Sequence, residues 1–114
     1  MSLPVSLPAV AAGVARLAQA RTVRAFFFVT APADPGLLPR LIEPVAKLGA
    51  VPSRIHASRE WGDGSELSVE LRLAGVAPRT AELVEFALRA VVGVRQVKAV
   101  VEAEARPAGL RAGP

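Results

Sequence analysis

The chain has 114 residues, 52% of them hydrophobic, and a mean hydropathy of +0.39; this suits one domain with a modest core, excludes a disordered polypeptide, and offers no apolar run of the ~18 residues that span a bilayer. It has no Cys and a single histidine, His56, which excludes disulfides, thiolate metal sites and Cys nucleophiles, and leaves too few parts for a histidine metal cluster or a Ser–His triad. The net charge is +4 and the pI about 11.0, but the surplus lies in Arg16, Arg21, Arg106 and Arg111, so no clustered phosphate-binding stripe forms and neither nucleic acid nor membrane is expected as a partner.

Residues 1–21 are Ala-rich and open with the echo Ser2-Leu3-Pro4-Val5 and Ser6-Leu7-Pro8-Ala9. Val10, Val14 and Leu17 fall at helical spacing. Ala18-Gln19-Ala20 has the look of a leader cleavage site, yet no positive charge precedes it and Arg16 interrupts the apolar run. An N-terminal arm, ordered or partner-binding, is therefore expected rather than a leader. With no cysteine to protect, the location expected is cytoplasmic.

From Thr22 the pattern becomes regular. Val23–Val29 is rich in β-branched and aromatic residues and predicts a buried strand. Asp34-Pro35-Gly36 stops it, and Leu37, Leu38, Leu41, Ile42, Val45 and Leu48 predict a helical face that Gly49 ends. Pro39 suits a first turn, whereas Pro44 falls inside and predicts a kink. Ser53–Trp61 reads as a second strand with Ile55, Ala57 and Trp61 on one side and His56 on the other. A turn over Gly62–Ser65 leads to strict alternation of Leu67, Val69, Leu71 and Leu73 with Ser68, Glu70 and Arg72, a half-buried strand.

Gly75–Pro78 reads as a loop, and Thr80 as the cap of a helix with Glu82 in its first turn. Leu83, Val84, Ala87, Leu88, Val91 and Val92 give its apolar face, and Gly93 ends it. Val94–Glu102 is the last strand, and residues 105–114 form a Gly/Pro/Ala/Arg tail expected to be flexible. The order βαββαβ over residues 22–104 predicts an α+β ferredoxin-like sandwich, a four-stranded antiparallel sheet with two helices on one face.

A strand feeding a helix through a tight loop leaves backbone N–H groups at the helix start, where an anionic group docks. Asp34-Pro35-Gly36-Leu37-Leu38, Lys47-Leu48-Gly49-Ala50, the strand Glu66–Leu73 and Val91-Val92-Gly93-Val94-Arg95-Gln96-Val97 together resemble, in order and spacing, an ACT domain, the small regulatory module of amino-acid metabolism. Pro78-Arg79-Thr80-Ala81-Glu82-Leu83-Val84 followed by Val91–Val97 resembles more narrowly the small regulatory subunit of acetolactate synthase.

The resemblance implies a non-catalytic regulatory module, an amino-acid effector, no cofactor and no metal. It places the effector between the first strand–helix loop of one subunit and the second-strand region of another, here Ala33, Asp34, Pro35, Gly36 and Leu37 with Ala50 and Val51. Ala33 stands where the family often has Asn or Asp, and Val51 where it often has a polar residue. Phe26 and Phe28 fall on the strand face opposite Ala25, Phe27 and Val29, so with Arg54 and His56 they are expected to form a subunit interface. The chain is thus expected to be a homo-oligomer, alone or on a catalytic subunit. The alternative is an assembly module without a ligand. A third reading, an acylphosphatase-type enzyme on the same fold, is disfavoured, since it needs a loop Arg to cradle phosphate and an Asn to place water, and the chain has no Asn.

Overall fold

The computed structural model describes residues 21–104. The expected N-terminal arm, up to residue 20, and the C-terminal tail lie outside the described residues. Between them run β1 (Val23–Pro32), α1 (Leu37–Lys47), β2 (Arg54–Glu60), β3 (Glu66–Val76), α2 (Pro78–Arg89) and β4 (Gln96–Ala103). The four strands form one antiparallel sheet of order β2-β3-β1-β4. This is the ferredoxin-like arrangement expected from the order of elements.

The core follows from period-two alternation. Val23, Ala25, Phe27, Val29 and Ala31 of β1 and Leu67, Val69, Leu71 and Leu73 of β3 are buried on one face. Leu37, Leu41 and Val45 of α1 and Ala81, Val84 and Leu88 of α2, at helical spacing, join the same cluster. At about 25 cal/mol per Å² of apolar surface removed from water, this layer supplies most of the drive to fold. The opposite sheet face stays open.

Several element ends differ from expectation. β1 continues through Thr30-Ala31-Pro32, because β3 pairs with it as far as Pro32↔Glu66. Gly75–Val76 belongs to β3 rather than to a loop. Thr80 is not the cap of α2. Extended Ala77 (φ −65°, ψ 147°) holds that position and Pro78 begins the helix, where its fixed φ suits the first turn and no N–H is lost. At the far end α2 stops at Arg89, before Val91, exposed Val92 and Gly93.

The helices do not cover β2. Ile55 and Ala57 pair with buried Leu71 and Val69, so they lie on the helix side, yet both are exposed, Ile55 by 43%. Trp61 leaves the strand altogether, at φ 72° in the hairpin.

Candidate functional site

The candidate site lies where the β1–α1 loop meets the β2–β3 hairpin. The Ala33 N–H donates to the Ser65 carbonyl at 2.9 Å, tying loop to hairpin. Within the loop the Leu37 N–H donates to the Asp34 carbonyl at 3.0 Å. The Asp34 carboxylate accepts the Gly36 N–H at 3.0 Å and Arg40 Nη2 at 2.8 Å, all through Oδ2. Arg59, near the end of β2, donates its Nε to the Gly64 carbonyl at 2.9 Å and so lies back along the hairpin. It makes no salt bridge among the described residues.

Ala33, Asp34, Pro35, Leu38, Arg59 and Leu67 line a cleft of about 350 Å³ here. Its apolar lining is Ala33, Pro35, Leu38 and Leu67, with a carboxylate from the loop and a guanidinium from the hairpin strand. That volume falls at the small end of ligand sites, and a few polar groups on an apolar lining are how such sites fix orientation. The lining thus offers one acceptor of positive charge, Asp34, and one donor to anionic groups, Arg59.

A wider, open cleft of about 630 Å³ lies beyond the hairpin, lined by Trp61, Gly62, Asp63, Ser65, Glu66 and Arg95. Hydrogen bonds from the Ser65 side chain and backbone hold Asp63 below the usual carboxylate range, the N–H donating to Asp63 Oδ1 at 3.0 Å. Arg95 Nη1 pairs with Glu66 Oε1 at 2.7 Å. No group of three or more His, Cys, Asp or Glu able to hold a metal exists among the described residues.

The residues expected at the ligand site are only partly brought together. Ala33, Asp34 and Pro35 line the cleft. Gly36 turns the chain at an ordinary φ of −85°, and its N–H is already taken by Asp34, so that donor is not free for an incoming anion. Leu37 is buried in the core. Ala50 is buried and Val51 is 83% exposed, and both follow the other end of α1, an 11-residue helix about 16 Å long. Within one chain they are remote from the cleft.

The expected interface residues do share a surface. Phe26 pairs across with Arg72 and Val100, Phe28 with Glu70 and Lys98, and Arg54 and His56 with Arg72 and Glu70, all on the open sheet face.

Arg59 and Arg40 were not singled out from the sequence, and Leu38 and Leu67 were expected only as apolar-face residues, not at the site. Arg59 carried a usable signal. It shares strand parity with Ile55 and Ala57, which puts a charged residue on the helix side of the sheet.

No family model matches the chain, and no curated protein matches it. Solved structures do. The ACT domain from GTP pyrophosphokinase of Chlorobium tepidum superposes with a TM-score of 0.58 at 15% identity, covering 69% of this chain and 99% of that one. The fold is ACT-like. An uncharacterized protein from Thermotoga maritima gives 0.56 at 14% identity over 71% of this chain and 98% of that one. The regulatory subunit of aspartate kinase from Thermus flavus gives 0.51 at 16%, over 74% of this ACT-like chain and 53% of that one. Nothing in these likenesses singles out the acetolactate synthase small subunit. No helix among the described residues is long and apolar enough to cross a membrane.

Proposed function

We propose that this chain is a regulatory module without catalytic chemistry of its own, which takes an amino-acid effector in the loop–hairpin cleft and passes the effect to a catalytic subunit. The observation that supports this most is that Asp34 and Arg59 both line a cleft whose other walls are apolar. Arg59 Nε is committed to the Gly64 carbonyl, which orients the guanidinium while its two Nη groups remain for a carboxylate. Asp34 is held by Gly36 and Arg40 and receives the ammonium. Leu38 and Leu67 then favour an aliphatic side chain over a charged one. The ACT-like fold shared with regulatory chains is consistent with this role, although fold alone does not assign function.

The effector reading differs from the one the resemblance implies in one respect. The cleft is completed by Arg59 of the same chain, not by Ala50 and Val51. A ligand-free assembly module is the second reading, favoured by the loop being satisfied internally through the Asp34–Arg40 pair.

Titration calorimetry of the full chain against the set of natural amino acids separates the two. Effector binding predicts saturable heat with an aliphatic amino acid, lost in Arg59→Ala and kept in Arg54→Ala. Silence across the whole set selects the assembly module.

A further inference from the structure

The open sheet face carries a charge arrangement that the effector cleft does not use. One cross-strand row runs His56–Glu70–Phe28–Lys98 across β2, β3, β1 and β4, and the next runs Arg54–Arg72–Phe26–Val100. The centre is apolar, with Phe28 exposed by 41% and Val100 by 47%. The Arg72 guanidinium lies 5.2 Å from the centroid of the Phe26 ring and covers part of it. Glu70 and Lys98 flank Phe28 with opposite signs, one strand to either side. Glu70 accepts Arg72 Nε, and Lys98 makes no salt bridge among the described residues.

We infer that this face binds a second copy of the chain, sheet against sheet, about a two-fold axis parallel to the strands and passing over β1. The central rows of the register favour that axis; further along β1 it brings Arg24, paired with Glu102 at 3.6 Å, towards the partner subunit's Arg24. Rotation about this axis sends β3 of one copy over β4 of the other, so Glu70 meets the partner subunit's Lys98 and Lys98 meets the partner subunit's Glu70. Phe28 meets its own counterpart at the centre. The other in-plane two-fold axis, perpendicular to the strands through the same row, sets Glu70 on Glu70 and Lys98 on Lys98, and like charges apposed are strongly unfavourable.

Sheets packed in this way cross at about 30°. Glu70 and Lys98 lie only about 4.8 Å from the axis, so the crossing displaces each pair by a few ångströms, within the reach of a lysine side chain. Four strands about seven residues long present a face of roughly 19 Å by 23 Å, so two copies bury on the order of 900 Å², the size of a weak, reversible dimer and not of an obligate one. Arg54 and His56 on β2 overhang this contact and occupy its rim. The inference goes beyond the effector reading and does not depend on it.

Charge reversal at the two flanking positions tests it, with mass measured by sedimentation velocity and folding checked by circular dichroism. Glu70→Lys and Lys98→Glu each turn two attractive pairs into repulsive ones and weaken self-association by about a hundredfold. The double variant restores the dimer, and an equimolar mixture of the two single variants forms a heterodimer with all four charges complementary. Because Glu70→Lys also removes the Arg72 contact, rescue in the double variant and in the mixture separates lost pairing from lost folding. A wild-type chain that stays monomeric throughout the micromolar range overturns the inference. So does a dimer that the single reversals leave intact, which would place another surface, such as the β2 edge, or another partner at the interface. Amino-acid binding by a monomer would leave the effector reading standing while this one fell.

Discussion

Arg40 Nη2 lies 2.8 Å from Asp34 Oδ2, the same oxygen that accepts the Gly36 N–H. One carboxylate thus closes the β1–α1 loop and holds the first turn of α1 to it. It also keeps a negative charge at the cleft, where an ammonium group needs it. The pair is about half exposed on both sides, so its value to folding is small and its value to the site is positional.

Asp34→Ala is therefore expected to lower stability by only about 1 kcal/mol, the sum of an exposed ion pair and one loop hydrogen bond. Urea denaturation measures this. The same substitution should abolish amino-acid binding, since no other carboxylate lines the cleft.

Gly36 and Gly49 should respond differently to a side chain. Gly36 has φ −85°, and a Cβ there meets Arg40 Nη1 at 3.2 Å and Asp34 Oδ2 at 3.3 Å, both on exposed side chains that can yield. Gly49 has φ +78° with nothing within 4 Å, so a Cβ there has space but a strained backbone. Gly49→Ala is expected to cost about 1–2 kcal/mol, and Gly36→Ala less than that. Thermal melts of the two variants side by side give the order.

The Asp63 carboxylate is stabilised in its charged form by Ser65. Its folded pKa is lowered, so its contribution to the hairpin is present above the unfolded carboxylate pKa and is lost as pH falls through the folded value. Asp63→Asn should therefore loosen the hairpin at neutral pH, flatten its pH dependence, and leave behaviour below the folded pKa nearly unchanged. Amide exchange of Gly64 and Ser65 as a function of pH reads this directly.

The elements were legible because their cause is local. Alternation at Leu67–Leu73 and helical spacing from Leu37 to Val45 each follow from which side of one element faces the core. Gly49, at positive φ, ends α1 where expected. The start of α2 was misread because Thr80 looks like a cap, while extended Ala77 and Pro78 set the boundary three residues earlier.

The cleft was half legible. Ala33, Asp34 and Pro35 stand in a loop whose composition announces a turn. Arg40 and Arg59 reach their partners through long side chains, across six residues in one case and across a hairpin in the other, and no periodicity records such contacts. The nakedness of β2 was equally hidden, because it depends on where the helices settle over the sheet and not on β2 itself.

Two-dimensional amide NMR of the labelled full chain, titrated with an aliphatic amino acid such as leucine or valine, tests the central claim most directly. The account predicts saturable shifts concentrated at Ala33, Asp34, Leu38, Arg59 and Leu67, with the open-face strand residues Phe26 and Phe28 unmoved. Saturable shifts centred on Ala50 and Val51, or at the Trp61–Arg95 cleft, would contradict it, as would a spectrum unchanged by every amino acid.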